Sequence, residues 1–237
     1  MQNHLITLDV DWAPDWMIQK VADILIDKQV KATWFITHDS PAIQKLKKRY
    51  KLFELGIHPN FDADTTQGTT KEDIIVHLMS IAGNPDAVRM HRYSHSEQIL
   101  HMLRRFGFSI DSTMLCPYVP NLRAHKLYFE DGTYIVRVPA YYEDYQELLQ
   151  RDRSFDPYMC RFNRKGMKVM IFHPIHIALN THDIYDYAVK KKAKMTISSR
   201  DKREGIGTFF EKLTTLISKN EQYTISEMCN QWSVFNE

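Results

Sequence analysis

Short apolar runs alternate along the chain with stretches whose apolar positions recur at helical spacing. HLITLD (residues 4–9) has the pattern of a buried strand and breaks at Trp12-Ala13-Pro14. Met17, Val21, Ile24, Leu25 and Lys28 then recur on one helix face, with Asp15 as the expected N-cap. VKATWFIT (30–37) is β-branched and aromatic and predicts a strand. Pro41 opens a helix running to Tyr50, and LFELGIH (52–58) is again a strand. The alternation continues with a helix over 70–82, a strand over 87–91, a helix over 96–106 stopped by Gly107, and a strand over 108–111. Between Leu115 and Asp131 the pattern lapses, and Asp131-Gly132 predicts a hairpin turn. Strands over 133–142 and 167–173 follow, then a helix over 207–218. A short element around Tyr223-Thr224-Ile225 and a helical tail capped by Ser226 close the chain.

Six or more β-α alternations without a compositional break predict one α/β domain over residues 1–237, with a mainly parallel sheet. No GxGxxG turn follows the first strand, and polar residues punctuate nearly every strand end. Both features favour a barrel over an open doubly wound sheet.

Composition narrows the function more than the fold. The 31 basic and 29 acidic side chains nearly cancel, so no nucleic-acid partner is expected. The basic run 190–203 reads as a solvated loop, as do Lys45, Lys47, Lys48, Arg49 and Lys51. Cys116, Cys160 and Cys229 give neither a CxxC pair nor a disulfide framework. With no apolar run of 18 residues and no basic-then-apolar leader, the expected location is cytoplasmic, with reduced thiols. The eleven histidines remain to be placed.

Several of them end strands. Asp9 and Asp11 end the first strand, His38 and Asp39 follow the second, and His58 ends the third. Arg89 and His91 end the fourth, Asp111 and Ser112 the fifth, Tyr141 and Glu143 the sixth, and His173 with His176 the seventh. In a barrel such ends converge on one face, where active sites are built. Asp9-Val10-Asp11 sets two carboxylates at alternate positions, which a regular strand would aim the same way. Two acids that close imply a cation or a shared proton between them. His95 is expected to face solvent, and His4, His77, His101, His125 and His182 are read as structural or surface residues.

ITLDVDWAP, ATWFI, ELGIHPNF, VRMHRY, DSTML and VMIFHP occur in the order of the motifs of the polysaccharide deacetylases, which remove N- or O-acetyl groups from sugars. The chain most resembles the branch encoded with lipopolysaccharide O-antigen synthesis. The resemblance implies an irregular (β/α) barrel of about seven parallel strands, a divalent metal ion, expected to be zinc, and an N-acetylated sugar or polysaccharide precursor as substrate. By position, Asp9 resembles the catalytic base, Arg89 the arginine that orients it, and His173 the general acid. Asp11 and His58 resemble metal ligands. Asp62 stands where the family has its second metal histidine, so the third ligand lies among His91, Asn60 and Asp62, with His91 favoured. Asn60, Asp111 and His176 are expected in supporting roles, and Trp12, Trp16, Tyr141 and Tyr142 as aromatics for a sugar ring. Two other readings are a barrel that binds sugar or metal without hydrolysis, and an amidohydrolase-like enzyme. The latter normally opens with HxH where this chain has DxD.

Overall fold

Side-chain alternation along the strands decides which residues reach the centre of the molecule. In the computed structural model, which describes residues 4–159, 162, 164–191 and 195–235, nine strands form one sheet. They are β1 (His4–Asp9), β2 (Ala32–Ile36), β3 (Phe53–Ile57), β4 (Ala87–Val88), β5 (Ile110–Asp111), β6 (His125–Tyr128), β7 (Tyr134–Arg137), β8 (Ala140–Glu143) and β9 (Lys168–Phe172). Their order is β6-β7-β5-β4-β3-β2-β1-β9-β8, and only β6 runs antiparallel to its neighbour. The segment after β5 reaches β8 through a bridge between Leu115 and Ala140, so the sheet curls into an irregular, incompletely closed barrel.

Alternate residues enter two cores. Leu5, Phe35, Ala87, Ile110, Val169 and Ile171 pack inside the curl, while Ile6, Leu8, Trp34, Ile36, Val88 and Phe172 face the surrounding helices. The helices are α1 (Asp15–Asp27), α2 (Pro41–Lys47), α3 (Lys71–Ala82), α4 (Glu97–Arg105), α5 (Asp144–Leu149), α6 (Pro174–Leu179), α7 (Ile184–Lys191), α8 (Ile206–Ile217) and α9 (Ile225–Phe235). Gly56 lies on the inner face of β3, where a Cβ would come within 2.8 Å of the Ala87 carbonyl and the Phe35 ring. Only glycine lets the barrel close so tightly there.

One end of the barrel is plugged. Ile225, Met228 and Cys229 of α9 join the inner core, the Ile225 amide donates to Thr33 Oγ1, and the Ser226 hydroxyl donates to Glu54. The opposite end, outside the strand C-termini, is left for a site.

Several elements differ from expectation. The described residues form nine strands rather than about seven. The predicted strand over 133–142 is two strands far apart in the sheet, β8 at one edge and β7 next to the other, parted at Val138-Pro139. The lapse between Leu115 and Asp131 holds β6, joined to β7 by the predicted turn at Gly132 (φ 79°). Pro14 rather than Asp15 takes the N-cap of α1. Thr224 rather than Ser226 caps α9, exchanging hydrogen bonds with Glu227. Helix α2 stops at Lys47, short of Tyr50. The basic run is partly tied down: Arg200 donates to the Ile177 and Ala178 carbonyls, and Arg203 pairs with Asp186 and Asp201. Residues 192–194 of that run, and Cys160, lie outside the described residues, while Cys116 and Cys229 are free thiols. Among the described residues no helix is long and apolar enough to cross a membrane.

Candidate active site

Inward parity carries Asp9 from the end of β1, His58 after β3, Arg89 after β4 and His173 after β9 to one point. These strands are close neighbours in the sheet, so the residues form a continuous floor. Arg89 is fully buried. Its Nη1 donates to Asp9 Oδ1 (2.7 Å) and Thr7 Oγ1 (2.9 Å), Nη2 to Ser112 Oγ (2.9 Å), and Nε to the Ser112 carbonyl (3.1 Å). The Phe35 ring lies 4.2 Å from the guanidinium carbon. So many fixed partners hold the Asp9 carboxylate in one orientation, with Oδ2 turned toward His58 (3.9 Å).

His58 Nδ1 lies 2.7 Å from the Arg89 carbonyl, which can only accept. Nδ1 therefore carries the proton, and Nε2 presents a lone pair to the site. Asp11 reaches this nitrogen from outside β1. Asp11 (φ 44°) and Trp12 (φ 55°) are both left-handed, an arrangement that costs roughly 1–3 kcal/mol per residue and is found where a site fixes the backbone. Arg92 (φ 53°) and Tyr93 (φ 54°) make a matching turn just after His91. The two turns bring Asp11 Oδ1, His58 Nε2 and His91 Nδ1 within 3.3 Å of one another, pair by pair.

The electrostatics favour positive charge there. Burial alone would raise the Asp11 carboxyl, but His58 and His91 hold it well below the usual carboxylate range. Burial pushes the His58 imidazole down, and the Asp9 and Asp11 carboxylates more than reverse it. A field that draws a proton to Nε2 draws a cation to the same place. Asp11 Oδ1 is buried without a hydrogen bond, as expected of an atom whose partner is an ion. The three donors thus fit a divalent metal, and their carboxylate and imidazole chemistry suits zinc among others.

His173 stands on the other side, its Nε2 3.5 Å from Asp11 Oδ2. Beneath it Asp144, wholly buried at the start of α5, accepts from the His173 amide (2.7 Å) and from Nδ1 (2.6 Å). Burial would lower the His173 imidazole, but Asp144 raises it well above the ordinary value. Sequence reasoning missed Asp144, whose only signal is an acid following directly on a strand end. These groups line a cavity of about 1020 Å³, walled further by Glu143, Tyr93, His176 and Trp12 and flanked by Tyr187 of α7. His176 is buried, its Nδ1 3.1 Å from Thr181 Oγ1, and its ring packs on Tyr187. Trp12, 37% exposed, sets its ring edge-on to His91. An adjoining hollow of about 310 Å³ contains Asn60 and Asp62.

Other expected residues lie elsewhere. Asn60 Oδ1 accepts the Asp62 amide and the Asp62 carboxylate pairs with Arg92, so neither joins Asp11 and His58; His91 does. Asp111 lies outside both cavities. Its neighbours Ile110 and Ser112 turn inward, so Asp111 turns outward, where it pairs with Arg137 at 2.7 Å and accepts from Thr113. Tyr141 and Tyr142 are both 1% exposed and belong to the outer core, because the register shifts between Ala140 and Tyr142. Trp16 packs against the same core. His38 sits beside Thr37, outside both cavities, and His95 is exposed.

The profile of the WbmS-like polysaccharide deacetylases matches residues 6–191. The structure is similar to a Bordetella bronchiseptica protein assigned as a polysaccharide deacetylase involved in O-antigen biosynthesis, at 30% identity and a TM-score of 0.78, covering 90% of each chain. Two likenesses bear on the fold alone. A polysaccharide deacetylase assigned in Mycobacterium smegmatis matches at 19% identity and a TM-score of 0.53, covering 73% of this chain and 76% of that one. The peptidoglycan deacetylase PdaC of Bacillus subtilis matches at 13% identity and 0.53, covering 99% and 93%. No curated protein matches the sequence. By a family profile spanning most of its length, the chain belongs to the WbmS-like polysaccharide deacetylases.

Proposed function

We propose that this chain, working as one domain over residues 1–237, is a metal-dependent hydrolase that removes the acetyl group from an N-acetylated sugar of a surface polysaccharide or its precursor. The observation that carries this reading is the triangle of Asp11 Oδ1, His58 Nε2 and His91 Nδ1, each 3.3 Å from the next. Bonds of about 2.0–2.1 Å at tetrahedral angles have edges of about 3.3 Å, the spacing of three ligands on a zinc ion. A divalent ion held there supplies Lewis acidity, polarising a carbonyl and making nearby water more acidic.

The remaining roles fall to the chain's own groups. Asp9, fixed through Oδ1 by Arg89, takes a proton from the attacking water with Oδ2. His173, kept protonated by Asp144, gives its Nε2 proton to the departing nitrogen. Water and amide are thereby converted to acetate and free amine. Trp12 offers a partly exposed ring at the mouth, suited to a sugar face.

Acetate release from N-acetylated saccharides tests the reading. Release that stops with a chelator and returns with zinc is expected. Saccharide binding with no acetate released would favour instead a non-catalytic barrel, and no dependence on metal would refute the mechanism.

A further inference from the structure

Two polar atoms at the cavity wall have no task in that chemistry. Glu143, at the end of β8, is 8% exposed and lines the cavity, yet its Oε2 is buried without a hydrogen bond. The Tyr93 phenol meets the Glu143 carboxyl in a weak hydrogen bond, and its oxygen is likewise buried without one of good geometry. Each buried group left so costs roughly 1–3 kcal/mol relative to a satisfied one, which points to a partner arriving from outside. Asp11 Oδ1, the other orphan in the cavity, is accounted for by the ion its neighbours would share. Glu143 and Tyr93 are not.

Their placement narrows what that partner is. Glu143 immediately precedes Asp144, which carries His173, and Tyr93 follows His91 in the left-handed turn. The pair therefore lines the same cavity as the acid and the metal ligands, the space open to a ring bearing an acetamido group. A carboxylate only accepts hydrogen bonds, and a phenol both donates and accepts. Sugar hydroxyls match both. Burial raises the Glu143 carboxyl against the opposing His173 charge and Tyr93 hydroxyl, with the Asp144 and Asp9 charges adding to the rise, so a donor brought by substrate meets a group poorly solvated without it.

We propose that Glu143, supported by Tyr93, is a positioning and selectivity residue that takes up a ring hydroxyl of the sugar carrying the acetamido group. This rests on reading the cavity as a sugar site. The test compares zinc-loaded wild type, Glu143→Gln and Tyr93→Phe for binding of N-acetylglucosamine and its 3-, 4- and 6-deoxy forms by NMR titration, and for KM and kcat. Losing one hydrogen bond to a charged group should weaken N-acetylglucosamine about tenfold or more in Glu143→Gln, in Kd and KM rather than kcat, with Tyr93→Phe intermediate. One deoxy sugar should bind wild type and Glu143→Gln equally weakly, which a structural role would not produce.

Equal sugar binding by wild type and variant, a uniform loss for every deoxy form, or a fall in kcat at constant KM would each overturn the assignment, as would a wild type that binds none of the sugars. The predicted binding pattern in a wild type that releases no acetate would uphold it and refute only the hydrolase reading.

Discussion

Asp11 Oδ1 stands 3.3 Å from both His58 Nε2 and His91 Nδ1, at the meeting of two turns built from left-handed residues. Without a cation, this geometry leaves a buried carboxylate oxygen unbonded and two imidazoles competing for it. Wild type should therefore gain stability when a divalent ion binds. At a hundred times Kd the gain is about 2.7 kcal/mol, which for a chain of this size raises Tm by roughly 5–10 °C. Asp11→Ala should show no such rise. Thermal melts with and without zinc decide the point, and an equal rise in the variant would place the ion elsewhere.

Asp9 has a different task from Asp11, although the two are only two residues apart. Asp9→Asn should lower kcat by a factor of about 10³ or more while retaining a full equivalent of metal. It should also lose stability, because the Arg89 charge is left buried and unpaired, a change costing about 3–5 kcal/mol. Acetate release and metal analysis on the same preparation read both effects. Turnover near the wild-type rate would remove Asp9 from the role of base.

The pH dependence should report His173. Its imidazole is raised well above the ordinary value by Asp144 against the opposing effect of burial, so the acid form survives into alkaline solution. The stability this pair contributes is fully present below the unfolded imidazole pKa of about 6.5 and is lost as pH rises through the raised folded value. Asp144→Asn lowers that folded value. The alkaline limb of kcat/KM should accordingly move to lower pH, with a drop of roughly 10²–10⁴ at the optimum. A pH–rate profile in which the limb stays fixed would show that another group is the acid.

Asp111 supplies the contrasting case. Asp111→Ala should destabilise the chain by about 3–5 kcal/mol, because it strands the buried Arg137, while kcat and KM stay within about twofold of wild type. Denaturant unfolding and steady-state kinetics measure the two separately. A kinetic defect out of proportion to the stability loss would return Asp111 to the site.

That case also marks how far the sequence could be read. Strand ends were legible because apolar runs stop at them, and Asp9, His58, Arg89 and His173 all fall on the inward parity of their strands. Parity also excludes Asp111, since Ile110 and Ser112 take the inward positions. Parity could not be followed through β8, where the register shift turns both Tyr141 and Tyr142 outward and brings Glu143 to the cavity. Asp144 was hidden for the same reason. Strand β6 lies at an edge with no buried residue, so no apolar alternation announced it. Asp11 and His91 were legible as residue types, but the turns that join them are long-range agreements that no local pattern encodes.

The position of the metal ion decides whether these roles hold. Crystals grown with zinc and measured on both sides of its absorption edge should give one strong anomalous peak bounded by Asp11, His58 and His91, with an open coordination position toward the cavity. A peak bound by Asp144, His173 and His176 instead, or no peak at full zinc loading, would contradict it.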